Sequence, residues 1–267
     1  MTGKPAADKV QPKAMVELRK KTIESWPTGE QVMEIVKEKF GTRVILAFSR
    51  GKDSIGCWLA LRDAGFEVIP YHNMLCPGMA FVEESLDYFE RFFGVHIRRV
   101  PHPTLYAHLN DRIFQTPATA AVIAGAKLPY FDSSLTEGEI ATEEGLPDGA
   151  MTAIGIRVHD NLMRRMWLVS QGPLHWKTRR FAPVWDWRKG RLMAAIEAAG
   201  IVLPPDYALF GRSFDSVTLK YLWQIKRNFP ADYRVILEWM PLAEAELWRY
   251  EKYGRAKEAA PAEETDA

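Results

Sequence analysis

Six residues, Ser49-Arg50-Gly51-Lys52-Asp53-Ser54, stand between an apolar run suited to a strand, Val44-Ile45-Leu46-Ala47-Phe48, and a helix-type segment, Ile55 to Ala64. A short Gly-containing turn in that position aims backbone N–H groups and the positive end of the helix dipole at one spot, which is where a phosphate is held. The common phosphate loop needs Ser or Thr after its Lys and an earlier Gly. This chain has Asp53 after Lys52 and Leu46 at the earlier position, so the turn is of another kind. Asp53 or Ser54 is also suited to cap the helix that follows.

The form S-x-G-K-D-S resembles the PP-loop of the ATP pyrophosphatases, and the continuation of the chain resembles the phosphoadenosine phosphosulfate (PAPS) reductase branch of that superfamily. Gly155-Ile156-Arg157 is similar to the G-I-R motif that follows a late strand there, with the arginine facing phosphate or sulfate. The family continues with an acid and a serine, whereas this chain has His159, Asp160 and Asn161. Pro183-Val184-Trp185-Asp186-Trp187 resembles the P-L-x-x-W segment, and Tyr207 to Ser213 resembles the L-Y-x-x-G-x-x-S stretch that folds back over the substrate. The resemblance runs from about Arg43 to Ser213. It implies an adenine nucleotide alpha hydrolase-like fold.

Strand-type segments at Phe66–Tyr71 and Val95–Val100 alternate with helix-type segments, the longest from Met79 to Phe93 with Gly94 as its stop. Repeated strand–helix–strand units imply right-handed crossovers and an open, mostly parallel sheet with helices on both faces. Residues 1–40 read as a polar tail and helical segment, 41–215 as the nucleotide-binding domain, 216–255 as a C-terminal helical extension and 256–267 as a disordered acidic tail. Between Pro101 and Gly149 the pattern loosens. The acidic, Gly-containing stretch Glu137 to Gly149 reads as an insertion, lid or disordered segment.

No apolar stretch of roughly 18 residues exists, and the first residues lack the apolar core of a secretory signal, so a cytoplasmic protein without a membrane anchor is expected. A net charge of +1 neither demands nor excludes a polyanionic partner. With only Cys57 and Cys76 in the chain, neither an iron–sulfur cluster nor a zinc site is expected. Cys57 lies inside a helix and reads as core packing. Cys76, in a loop after the second strand, is the one thiol placed to meet chemistry.

In an open parallel sheet the ligand crevice lies outside the carboxyl ends of the strands. Backbone groups of Ser49, Arg50, Gly51, Lys52, Asp53 and Ser54 are therefore expected to bind the nucleotide, with Asn73 and Met74 after strand two meeting its base. Gly155 allows close backbone approach. Lys52, Asp53 and Arg157 are the expected catalytic group, with Asp53 also holding Mg²⁺ or orienting the loop, and Arg157 offering a bidentate contact to phosphate. Asp186 is placed to cap the helix that follows it. Arg164, Arg165, Lys177, Arg179, Arg180, Arg188, Lys189 and Arg191, interleaved with Trp167, Trp176, Trp185 and Trp187, suit either a nucleic-acid strand or a solvated basic face over core tryptophans.

The resemblance implies binding of ATP or a related adenine nucleotide with Mg²⁺, and cleavage at the α-phosphate that releases pyrophosphate and adenylylates a substrate, in nucleic-acid modification or sulfur transfer. PAPS reductases act through a cysteine in a C-terminal E-C-G-x-H segment, and no cysteine lies beyond Cys76 here. A sulfonucleotide reductase is then left only with a relocated thiol or one from a partner protein. A non-catalytic nucleotide-binding subunit of a modification complex is the other alternative.

Overall fold

A computed structural model describes residues 23–130 and 132–253. The polar tail expected at the start of the chain and the acidic tail expected from residue 256 lie outside them. Among the described residues the strands are β1 Arg43–Ala47, β2 Glu67–Met74, β3 Arg98–Pro101, β4 Thr152–Ile154, β5 Leu174–His175 and β6 Arg180–Phe181. The helices are α1 Gly29–Phe40, α2 Lys52–Asp63, α3 Ala80–Phe93, α4 Pro103–Asn110, α5 Pro117–Ala126, α6 Ser133–Glu143, α7 Leu162–Gln171, α8 Lys189–Ala198, α9 Pro205–Phe210, α10 Leu219–Asn228, α11 Pro230–Trp239 and α12 Ala243–Tyr253. The fold is α/β, built on a six-stranded, mostly parallel sheet in the order β3-β2-β1-β4-β6-β5.

The chain divides into two compact units. One gathers the residues up to Pro70 with Glu137–Val202, and the other Tyr71–Thr136 with the residues from Leu203 onward, so β2 and α6 run from one into the other. In the first unit β1 pairs in parallel with β4, Ile45 opposite Thr152, and β4 pairs in parallel with β6. Val44, Ile45 and Leu46 are all buried, the unbroken apolar run of a strand covered on both faces. The two-residue strands β5 and β6, antiparallel, had no periodic signal to betray them. They flank a turn at Trp176–Arg179, where Arg179 takes a left-handed φ of 54°.

Helix α1 starts at a capping box: the Thr28 hydroxyl accepts from the Gln31 N–H, and the Gln31 side chain accepts from the Thr28 N–H. Helix α2 packs against α8, and the approach is close enough that a Cβ on Gly56 would stand 2.2 Å from Leu192 Cδ1. Val158, Leu168, Ala182 and Trp185 form a buried cluster with Trp26, Ile156 and Trp167 against it.

The acidic stretch expected as an insertion, lid or disordered segment carries ordered structure and ion pairs to the rest of its unit. Its first residues lie in α6, where Ile140 is buried and the buried Glu137 carboxylate accepts from Arg180 at 2.9 Å. Glu144 accepts from Arg43 at 3.2 Å. Those arginines lie 43 and 101 positions away along the chain, so a polar local composition concealed the partners.

In the second unit β2 pairs in parallel with β3, Tyr71 opposite Arg98. Phe81 of α3 stacks on Phe229, ring centroids 4.8 Å apart, and meets Phe214 edge-on. The N-terminus of α3 has no cap from its own flank. The buried Asp232 of α11 accepts from the Ala80 N–H, and the Trp239 indole donates to the Pro77 carbonyl at 3.0 Å.

Candidate functional site

The Ser49–Ser54 loop is closed by a ring of hydrogen bonds. The Gly51 N–H donates to Ser49 Oγ at 3.4 Å, the Ser49 hydroxyl donates to Ser54 Oγ at 3.1 Å, and the Ser54 hydroxyl returns to the Gly51 carbonyl at 2.9 Å. Two serines five residues apart thus pin the turn through the backbone of Gly51 between them. Arg50 completes it in the left-handed region at φ 61°, with its side chain buried. Such a conformation costs a non-glycine residue about 1–2 kcal/mol, and strain of this kind collects at functional loops.

Helix α2 begins at Lys52 behind an N-cap Gly51 in extended conformation, and no side chain caps it. Neither Asp53 nor Ser54 takes the capping role expected of it. Ser54 spends its hydroxyl on the loop ring, and the Asp53 carboxylate is drawn sideways by two arginines. Oδ1 of Asp53 accepts from Arg157 Nε at 2.5 Å, and Oδ2 accepts from Arg164 Nη1 at 3.2 Å. The first-turn N–H groups of a helix otherwise lack intrahelical partners, so this terminus carries the donors and the dipole without a capping anion from its own loop.

Gly155, after β4, lies against that first turn. A Cβ there would stand 2.5 Å from both Ser54 Cα and Ser54 N, and 2.6 Å from the Asp53 carbonyl carbon. Only glycine lets the β4–α7 connection approach so closely, and that approach brings Arg157 beside Asp53.

Arg157 is 2% exposed and fully engaged: Nε on Asp53, Nη1 on the Trp187 carbonyl at 3.2 Å, Nη2 near Asp160 Oδ1 at 3.5 Å. Arg164 adds Nε to Asp160 Oδ2 at 3.3 Å and donates to the Gly155 carbonyl at 3.2 Å. Lys52 Nζ lies 3.8 Å from Asp160 Oδ1. Three cations and two carboxylates therefore interlock at the α2 N-terminus. Lys52, Asp53, Gly155 and Arg157 meet there; Arg164, expected only in a general basic face, and Asp160 meet them. The signal for Asp160 was its place in the G-I-R continuation.

The His159 imidazole is held below its ordinary pKa, first by partial burial and then by Arg188, Arg165 and Arg157, against a smaller opposing pull from Asp186. Asp186 does not cap the helix that follows it. Its Oδ2 accepts from the Gly29 N–H at 3.2 Å and so caps α1 from 157 residues away. Gly29 is required for that approach, since a Cβ would fall 1.9 Å from the Pro183 carbonyl oxygen.

Asn73 and Met74 belong to the second unit and to β2 itself, which runs three residues past the expected strand end at Tyr71. Asn73 Oδ1 is buried without a hydrogen-bond partner. Cys76 is buried in the same unit, and burial pushes its thiol up to about 12. Cys57, inside α2, is raised further by burial and by Asp53.

Of the basic, tryptophan-rich stretch, Arg164, Arg180 and Arg191 have carboxylate partners, and Arg191 also lies 4.5 Å over the Trp187 ring. Arg165, Lys177, Arg179, Arg188 and Lys189 are exposed. Trp185 and Trp187 are buried and Trp167 packs on the core; Trp176 is 48% exposed beneath Lys39. The aromatics are therefore mainly core, as a packing role requires, and do not form a row of stacking platforms.

A bound Mg²⁺ does not fit the carboxylates as they stand. Both Asp53 oxygens are on guanidinium groups, both Asp160 oxygens face cations, and no group of three or more metal-ligating side chains occurs among the described residues. No helix among them is long and apolar enough to cross a membrane.

No protein-family model matches the chain. No curated protein matches it either. Among solved structures, a phosphoadenylyl-sulfate (PAPS) reductase from Candida auris in a phosphate complex is similar at a TM-score of 0.41 and 11% identity, covering 76% of this chain and 94% of its own. An NH3-dependent NAD synthetase from Campylobacter jejuni, complexed with nitrate, is similar at a TM-score of 0.42 and 12% identity, over 92% of this chain and 99% of its own. A glutamine-dependent NAD+ synthetase from Acinetobacter baumannii, complexed with ADP, is similar at 0.38 and 15% identity; the match takes in 98% of this chain and 48% of that one.

Proposed function

We propose that the Ser49–Ser54 loop binds the polyphosphate of ATP or a related adenine nucleotide, and that the protein is an enzyme cleaving at the α-phosphate with release of pyrophosphate. The observation that carries this reading is the convergence of Lys52, Arg157 and Arg164 on the N-terminus of α2, which no side chain caps. Backbone donors, a helix dipole and nearby cations are what a leaving pyrophosphate needs.

An oxygen anion of the acceptor attacks the α-phosphorus. As that bond forms, the bond to the α,β-bridging oxygen breaks, and its electron pair leaves with pyrophosphate. Lys52, 23% exposed at the head of α2, follows the departing charge. Arg157, held by Asp53, keeps a fixed positive field beneath it. Asp53 is thus a positioning group for Arg157 rather than a metal ligand, and no step here is assigned to Mg²⁺. A sulfur or amine nucleophile then displaces AMP from the adenylylated acceptor.

Sulfonucleotide reduction by a relocated thiol loses support from Cys76. A buried thiol with its pKa pushed up to about 12 supplies almost no thiolate at neutral pH.

The test is pyrophosphate release from Mg-ATP in the presence of DNA, RNA, nucleosides or sulfur donors, with adducts identified by mass spectrometry. Release coupled to an AMP adduct on one acceptor class is the expected result. ATP binding without release for every acceptor would leave a nucleotide-binding subunit, and absence of ATP binding would overturn the reading altogether.

A further inference from the structure

We infer that Asp160 is an internal counter-anion, holding the cations of the α2 terminus in the ligand-free protein and giving them up to the incoming polyphosphate. The inference rests on the nucleotide reading above and adds to it a residue that sets how tightly pyrophosphate is held.

Two carboxylates sit among the same cations, and their geometry separates their roles. Asp53 is buried, its side chain 10% exposed, and its Oδ1 accepts directly from Nε of a 2%-exposed Arg157, a charge-assisted pair with both members shielded from water. Asp160 is reached from three places: Lys52 at the head of α2, Arg157 in the β4–α7 connection and Arg164 in α7. Its contacts to them measure 3.8, 3.5 and 3.3 Å, all longer than a well-formed ion-pair hydrogen bond. One further bond, from Asn161 Nδ2 at 2.9 Å, comes from its own neighbour.

A carboxylate that touches three cations and is well bonded to none of them is easily exchanged for a better anion. Arg164, Lys52 and Asp160 are also the more exposed members of the network, at 37%, 23% and 16%, against 10% for Asp53 and 2% for Arg157. A pyrophosphate offers more charge and more acceptor oxygens than one carboxylate, and can reach Lys52, the loop N–H groups and Arg164 together. Asp160 then swings to solvent or stays on Arg157. When pyrophosphate departs, Asp160 recaptures Lys52 and Arg164, which favours product release.

Competition of this kind predicts an uncommon pair of effects. Removing the charge of Asp160 makes the ligand-free protein less stable, because three cations lose a counter-charge, yet tightens binding of pyrophosphate. A residue that merely positions Arg157 or Arg164 would weaken binding when lost.

The experiment is calorimetric titration of the full chain with inorganic pyrophosphate at two salt concentrations, for the parent, Asp160→Asn, Asp160→Ser and Asp160→Glu, with thermal unfolding of each. The expected result is about tenfold tighter binding and a lower unfolding temperature for Asn and Ser, a steeper dependence of affinity on salt, and parent-like behaviour for Glu. If either charge-removing variant folds, it decides the matter. Equal or weaker binding by that variant, beside a parent that binds, overturns the role of Asp160 and leaves the nucleotide reading intact. Binding by the variant alone supports the inference, and binding by none of the four proteins overturns both.

Discussion

The backbone of Gly155 lies so close to Ser54 that a single added methyl carbon would stand 2.5 Å from Ser54 Cα. The neighbour on the far side of that contact is helix backbone, which cannot swing away. Gly155→Ala is therefore expected to push the β4–α7 connection off the first turn of α2 and to part Arg157 from Asp53. Stability should fall by about 1–3 kcal/mol, the usual cost of overpacking, with a larger proportional loss of nucleotide affinity. Denaturant unfolding and calorimetry check the two effects; an unchanged ATP affinity would show that the contact does not position the site.

Lys52 is the one lysine in the cluster at the α2 terminus, set among backbone donors and guanidiniums. Lys52→Ala should weaken ATP binding by about 1.5–3 kcal/mol, the range of a hydrogen bond to a charged group. Calorimetric affinity in a folded variant is the measurement. No loss would remove the Ser49–Ser54 loop from the nucleotide site.

Asp186 reaches the Gly29 N–H from a distant segment, and its effect should be on stability. Asp186→Ala is expected to cost about 1 kcal/mol, as for loss of an N-cap. The loss should appear as a lower denaturant midpoint with ATP affinity kept. A variant as stable as the parent would mean that the Thr28 capping box holds α1 unaided.

Both thiols are buried and raised above their ordinary pKa. Iodoacetamide at pH 7.5 should leave the native protein unmodified over hours and label both cysteines once it is unfolded, read by intact mass. Rapid native labelling of Cys76 would revive a thiol mechanism.

The His159 imidazole is depressed in the free protein, so the unfolded chain takes up its proton at higher pH than the folded one. Its contribution to stability is present above the ordinary value near 6.5 and is lost as pH falls through the lowered one. A bound polyphosphate acts in the opposite direction, favouring the imidazolium. ATP affinity should accordingly rise as pH falls from 8 toward 6, and rise less in His159→Asn, whose comparison cancels the titration of ATP itself. Parallel pH profiles in the two proteins would place His159 away from the bound charge.

The strand, the turn and the helix around Ser49–Ser54 were legible in the sequence because each is a local affair. An apolar run makes a buried strand, a Gly-containing turn reverses the chain, and helix formers follow. The parallel alternation was legible for the same reason. Local pattern said nothing of which distant group would meet which, since a side chain's partner is set by packing. Asp53 looked like a cap or a metal ligand until tertiary structure placed Arg157 and Arg164 on its two oxygens. Asp186 looked like the cap of its own helix and serves another 157 residues away. Glu137 read as part of a loose acidic stretch and is buried on Arg180. Residue order alone marked the strand, the Gly-containing turn and the helix around Ser49–Ser54, and the charges that the chain carries. Which of those charges neutralise one another was set by packing, because ion pairs form through space and are indifferent to separation along the chain.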